Sequence, residues 1–244
     1  MGDLDMNIRG ALHPDLRPHI DNLLELVEGF EVPPSTEEFT NRLRARPDLV
    51  GSYYWAYEKL NKSQRMSIGG SVFAVPLLDP QVCNNLIAHG EHLAKDGGWA
   101  RNPCEPEEFQ IPEIVLAKRS PGTFKMLEGL IRYINVFHAI LYQRVPQSVS
   151  SIQFTKYTPE TTNQGNWHHD LDSDFTVVVS LNPDLFEGGG TEVIADPMRT
   201  IQIPPLPAGH ALIFNGKMIR HRGMEVTKGA RYLLTYWLNS ECRS

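Results

Sequence analysis

Six short segments after Val145 (residues 149–157, 175–181, 191–195, 200–203, 210–214 and 231–238) are rich in β-branched and aromatic residues. Gly, Pro, Asn and Asp separate them at near-regular intervals. Several short strands punctuated by turn residues predict a sandwich, jelly roll or barrel for this half of the chain. The earlier part reads differently. Residues 14–28 place Leu16, Ile20, Leu23, Leu24 and Val27 on one helical stripe, which Pro33 and Pro34 stop. Ser35-Thr36-Glu37-Glu38 has the form of a capping box opening a second helix towards Ala45.

A polar, aromatic-dotted stretch, 51–66, then links these helices to the rest of the chain. Residues 71–78 read as a strand, and Asp79-Pro80 as the N-cap and first position of a helix ending near Gly97-Gly98. Residues 123–144 form a further amphipathic segment. Helices first and strands second predict an α+β class, a β core with flanking helices. The expected division is an N-terminal helical extension, 1–66, and a main domain, 67–244.

The chain has 244 residues, enough for a substantial core, and no apolar run long enough to span a membrane. The start lacks the basic-then-apolar layout of a secretory signal, and three widely spaced cysteines, Cys83, Cys104 and Cys242, suit a reducing compartment. A cytoplasmic, soluble protein is the expectation. With a net charge of −6 and no basic stripe, nucleic acid is not the expected partner. A small molecule, a peptide or a protein suits better, a cationic one best. The sequence sets no oligomeric state.

The densest chemistry lies in NWHHDLDSDF, from Asn166 to Phe175. On an extended chain, residues two apart share a side, so His168 and Asp170 face together and His169 faces away. His221, in IRHRG, can fold back as a third ligand. Two histidines and a carboxylate on one face suit non-haem iron, whereas zinc favours four-coordinate sites, so these residue types leave the metal open. Arg231 opens the last strand-like run. A guanidinium inside a barrel calls for an anion, and its fork suits a carboxylate. A dicarboxylate that chelates the metal at one end and pairs with Arg231 at the other describes 2-oxoglutarate. Tyr157 can offer its hydroxyl to the same carboxylate, or be a core aromatic. Asp172 and Asp174 read as solvated loop carboxylates, which can also hold the turn before Phe175, glycines 188–190 as a tight turn, and His210 as strand surface. Trp167 and Trp237 either pack the barrel or flank a substrate.

FTKYTPE, WHHD, DFTVVVSLN, FEGGGTEV, PAGHALIFNGKMIRHRG and VTKGARYLLTYWL together resemble the Fe(II)/2-oxoglutarate-dependent oxygenases of the prolyl and lysyl hydroxylase type. The nearest likeness is to the catalytic domain of procollagen lysyl hydroxylases, densely over 150–239 and more loosely from Val72. The resemblance implies a double-stranded β-helix, or jelly roll. It implies His168, Asp170 and His221 as iron ligands and catalytic residues, and Arg231 with Tyr157 as 2-oxoglutarate binders. The cofactors it implies are Fe(II), 2-oxoglutarate and O₂, with ascorbate as an accessory reductant. The implied reaction hydroxylates an unactivated C–H of a lysyl or prolyl residue or a related free amino acid, releasing succinate and CO₂. Two other readings keep the fold: a nucleobase or nucleotide oxygenase, and a non-catalytic sensor that binds 2-oxoglutarate or a metal.

Overall fold

The computed structural model describes residues 6–29, 35–64, 72–142 and 144–240. Pro33, Pro34, Ser71, Cys242 and the expected domain boundary at 66–67 lie outside the described residues. Helices α1 (Ile20–Val27), α2 (Thr36–Ala45) and α3 (Val50–Gln64) come first, followed by strand β1 (Val72–Pro76) and helix α4 (Pro80–Lys95). Next come β2 (Glu113–Val115), α5 (Leu116–Arg119), α6 (Pro121–Glu128) and α7 (Ile131–Tyr142). The strands β3 (Ser148–Tyr157), β4 (Phe175–Ser180), β5 (Phe186–Gly188), β6 (Thr191–Asp196), β7 (Arg199–Ile203), β8 (His210–Phe214), β9 (His221–Gly223), β10 (Val226–Gly229) and β11 (Arg231–Asn239) complete the order.

A six-stranded antiparallel sheet, β1-β8-β4-β11-β3-β2, faces two smaller ones, β7-β6-β9 and β10-β5. This is the expected α+β jelly roll. The large sheet is used on both faces. Phe73, Ile152, Phe154, Phe175, Val177, Ile213, Leu234 and Tyr236 point to the helices and form the main core with Leu127, Ile134 and Phe137. The alternate residues Thr155, Tyr157, Thr176, Val178, Arg231, Leu233, Thr235 and Trp237 point the other way and line a cavity. The two-residue period of a strand separates the sets.

Several helix expectations need correction. The first helix begins at Ile20, with turns before it. Pro18 has no N–H to offer and biases Arg17 away from helical dihedrals. The segment 123–144 is two helices, because α6 stops at Glu128 with Gly129 as its C-cap and α7 restarts at Ile131. Glycine is a poor helix interior residue. The expected linker 51–66 is mostly helix: α3 buries Ser52 and Ala56 and stacks Trp55 on His19, ring centroids 4.4 Å apart. The capping box of Ser35 with Glu38 and the Asp79-Pro80 start of α4 form as expected. Strands β2, β5, β9 and β10 are additions to the expected set; three or four residues carry too little periodicity to register in a sequence.

The N-terminal residues join the main core. Ala11, Leu12, Leu16, Ile20 and Leu23 are buried in it, His13 N–H donates to Leu77 O at 2.9 Å, and Arg17 pairs with Asp79 at 2.5 Å. Among the described residues no helix is long and apolar enough to cross a membrane. Leu16→Ala should therefore destabilise the whole fold, by about 2–5 kcal/mol. Urea unfolding followed by tryptophan fluorescence and by far-UV circular dichroism should show one coincident, shifted transition. An N-terminal transition separate from the rest would contradict this packing.

His138 of α7 is fully buried between Tyr142 and Phe175, its ring 4.7 Å from that of Phe175. Burial pushes its pKa down to about 3, and the Ile134 carbonyl offsets this only in part. The unfolded chain binds this proton near pH 6.5, so from there down to about 3 the unfolded state holds more protons. Stability then falls as pH falls, by up to about 1.4 kcal/mol per pH unit. Urea midpoints at pH 7.5 and 4.5 should differ less in His138→Phe than in the natural protein.

Candidate metal and co-substrate site

The chain from Gly165 to Asp170 is not a regular strand, yet it is fastened to β9. Gly165 N–H donates to Gly223 O, and His168 and His221 exchange both backbone bonds, at 3.0 and 2.9 Å. A hydrogen-bonded antiparallel pair puts both side chains on one face, and the two imidazoles lie 4.3 Å apart, centroid to centroid. Each ring is turned by its own backbone: His168 Nδ1 meets Asn166 O at 2.8 Å and His221 Nδ1 meets Ile219 O at 2.9 Å. A carbonyl requires Nδ1 to carry the proton, which turns Nε2 of each ring toward Asp170 as the atom a metal would take in place of a proton.

Asp170 completes the group. Its Oδ1 is 3.4 Å from His168 Nε2 and its Oδ2 3.7 Å from His221 Nε2. One donor atom from each of the three residues lies within 4.8 Å of the others. Thr176 Oγ1 donates to Asp170 Oδ2 at 2.5 Å, and Asp170 N–H donates to Gly216 O. Position 216 must be glycine: a Cβ there would come within 2.6 Å of Thr176 Oγ1 and 2.9 Å of Asp170 Cβ.

Burial would raise the Asp170 pKa, but His168, His221 and Thr176 together hold it below the usual carboxylate range. Burial pushes His221 down to about 4, with Asp170 opposing, so it is neutral at pH 7. For His168 burial also lowers the pKa, but Asp170 and the Asn166 carbonyl bring it above the ordinary value. Two imidazoles and one ionised carboxylate on a single face form a donor set for a divalent transition metal with positions left open.

The same cavity is lined by Arg231, 5% exposed, at the start of β11. Its Nη1 donates to Gly190 O at 2.7 Å, and no carboxylate pairs with it among the described residues. Burial lowers its pKa, yet a guanidinium keeps its charge. The glycine run that supplies this carbonyl has φ of 78°, 71° and 104° at residues 188, 189 and 190, so it makes the tight turn read from the sequence. Tyr157, directly across from Arg231 on β3, is 6% exposed, and its ring centroid lies 5.4 Å from the guanidinium carbon. The cavity, 320 Å³, is thus lined both by a metal donor set and by a cation that no carboxylate neutralises among the described residues. A dicarboxylate fits that pair of demands.

His169 is exposed, as the strand period implies. Two other expectations change. Asp174 does not hold its local turn; it pairs with Lys217 at 2.5 Å and accepts from Ser240 N–H, while Ser173 bonds Phe175 O. His210 is half-buried against His13, rings 5.0 Å apart, not strand surface. Trp237 lines the cavity, whereas Trp167 stacks outside it on Arg222. Sequence reasoning does not single out Thr176, Gly216, Glu105 or Glu113. A signal for Thr176 exists in DFTVVVS, where Thr176 and Ser180 share the face that Phe175, Val177 and Val179 do not.

Residues 152–239 match the 2OG-Fe(II) oxygenase superfamily. A multifunctional procollagen lysine hydroxylase and glycosyltransferase of Caenorhabditis elegans is 24% identical over 180 residues, 69% of this chain and 24% of that protein. A PKHD-type hydroxylase of Xanthomonas euvesicatoria pv. vesicatoria is 29% identical over 152 residues, 56% of this chain and 62% of that protein. The chain therefore spans less than two thirds of the length of these curated relatives. A prolyl hydroxylase from Trichoplax adhaerens, solved with a hypoxia inducible factor peptide fragment, superposes with a TM-score of 0.58 at 13% identity, covering 85% of this chain and 94% of that one. Sequence match, fold and donor geometry agree: residues 152–239 are similar to the 2OG-Fe(II) oxygenase superfamily, and relatives and structural neighbours of the chain include prolyl and lysyl hydroxylases.

Proposed function

We propose that this protein is an Fe(II)- and 2-oxoglutarate-dependent dioxygenase that hydroxylates an unactivated C–H of a lysyl or prolyl residue, or of a related free amino acid. The observation that carries this reading is the pairing, in one cavity, of the His168–Asp170–His221 donor set with the carboxylate-free guanidinium of Arg231. Bound Fe(II), with O₂ and 2-oxoglutarate, supplies the oxidising power: one oxygen atom enters the C–H bond, the other enters succinate, and CO₂ leaves.

The residues divide the work. His168, Asp170 and His221 hold the metal, and Thr176 keeps Asp170 ionised and aimed. Arg231 binds the distal carboxylate of 2-oxoglutarate, with Tyr157 beside it closing the apolar wall. The charges close as well: a divalent ion and one guanidinium balance Asp170 and a dicarboxylate. The cavity is then neutral where it is deepest, as a low-dielectric site requires.

Once Asp170 and Arg231 are engaged, Glu105 and Glu113 remain in the cavity wall, neither in an ion pair among the described residues. Burial raises the carboxyl pKa of Glu113, with Lys118 opposing only in part. Two unpaired carboxylates favour a substrate bearing an amine, hence lysyl over prolyl, and with a net charge of −6 they disfavour nucleic acid. We take 67–244 as the oxygenase domain, with 1–66 as a helical extension packed on it. The free thiols of Cys83 and Cys104 support a cytoplasmic setting.

Anaerobic addition of Fe(II) and 2-oxoglutarate should produce a weak visible charge-transfer band that is absent in His168→Ala. Arg231→Lys keeps the charge but loses the fork, and should raise the 2-oxoglutarate concentration for half-formation of the band by about tenfold or more. A band that survives His168→Ala would refute the metal assignment. With O₂ present, lysine-containing peptides should drive succinate release more strongly than proline-containing ones. Glu113→Gln should narrow that preference by about fivefold, roughly 1 kcal/mol. Binding of 2-oxoglutarate with no turnover on any amino-acid or peptide substrate would favour the sensor reading instead.

A further inference from the structure

The bridge between His168 and His221 has a second side. In an antiparallel pair the flanking residues point to the opposite face, so Trp167 and Arg222 form the next cross-strand pair, on the outside of the small sheet. The guanidinium carbon of Arg222 lies 4.8 Å from the Trp167 ring centroid. Arg222 in turn pairs with Glu192, its register partner on β6, through Nε at 2.8 Å and Nη2 at 2.7 Å. Glu192, 6% exposed, also accepts from Thr200 at 3.3 Å and Gln202 at 3.4 Å on β7. Burial works against its charge, but Arg222 and Gln202 hold its pKa below the usual range.

A row of side chains, Trp167–Arg222–Glu192–Gln202, therefore runs across the back of the sheet, one residue out of step with the row His168–His221–Val193 on its front. The β9–β6 ladder is regular, and β6 pairs with β7 in unbroken register from Thr191 to Ile194, shifting only beyond it. The segment bearing His168 is not: it reaches β9 through an isolated bridge and one further bond at Gly165. The stack of Trp167 on Arg222 adds a side-chain contact across that junction on its outer face.

We infer that Trp167, Arg222 and Glu192 are positioning residues that lock the His168 segment onto β9 and so set the separation of the two histidine donors. This rests on the proposed metal site. The lock works because a guanidinium can stack its face on an aromatic ring while its edge pairs with a carboxylate. Without it, His168 has less to hold it opposite His221, and an ion must supply the ordering that the apoprotein now has in place.

The test is titration of Co(II) alone, by calorimetry, into proteins whose folding is verified by circular dichroism. Arg222→Ala and Trp167→Ala should each weaken Co(II) binding by about tenfold. The double variant should be little weaker than either, because both remove one contact. Trp167→Phe, which keeps an aromatic face, should stay within about threefold of the natural protein and serves if the alanine variants fold poorly. Lys228→Ala, which breaks an exposed ion pair with Glu187 between β10 and β5, should not change the affinity. Equal affinity in Arg222→Ala, additive losses in the double variant, or a matching loss in Lys228→Ala overturns the lock. Absence of Co(II) binding in the natural protein, or binding that survives His168→Ala, instead overturns the metal site on which it rests.

Discussion

Strand β11 ties the core to the cavity through its two-residue period. It is hydrogen-bonded on both sides, to β3 and β4, and its residues alternate from Arg231 to Leu238, the register with β3 shifting only between Trp237 and Leu238. Tyr232, Leu234, Tyr236 and Leu238 face the helices, while Arg231, Leu233, Thr235 and Trp237 face the cavity. A slip of one residue would drive a guanidinium into the packed core and turn Tyr236 out of it, which the apolar burial at stake forbids. The hydrophobic core thus enforces the placement of Arg231. Tyr157 obeys the same register, because it is the β3 residue opposite Arg231.

That placement creates an electrostatic demand. A cation 5% exposed is costly unless an anion meets it, and among the described residues Arg231 meets a backbone carbonyl and no carboxylate. On the metal side, Asp170 stays ionised although burial opposes it, because two imidazoles and a hydroxyl stand around it. Each of the two groups lining the cavity is thus poised for a partner of opposite sign, and the two partners differ in kind: a cation among N and O donors, a carboxylate at a planar fork.

Much of this is legible in the sequence. Strand periodicity separates His168 and Asp170 from His169, and the interval from His221 to Arg231 matches a known family's pattern. The capping box at Ser35 and the Asp79-Pro80 start are readable because a cap is a local arrangement of a few residues. The illegible parts are those where long-range packing overrides local signals. The helix α3 has the look of a linker because few of its residues are buried, and β2, β5, β9 and β10 are too short to show a period. Gly216 and the Trp167–Arg222 stack act on neighbours far along the chain, and nothing in their own surroundings announces those neighbours.

The site also explains why residues 166–170 are not a regular strand. In a strand, side chains two apart leave in parallel, their bases roughly 7 Å apart, so His168 and Asp170 could share a face without converging. Here the chain leaves the bridge with β9 just after His168 and turns at Leu171. Asp170 N–H goes to Gly216 O instead of to a ladder partner, and its carboxylate swings to 3.4 Å from His168 Nε2. Irregular backbone loses ladder bonds that must be replaced. Gly216 O and Ser173 N–H provide the replacements on the Asp170 backbone, while Thr176 holds its carboxylate. Convergence of the donors and loss of regular pairing are one geometric fact, which is why the segment depends on side chains around it for its position.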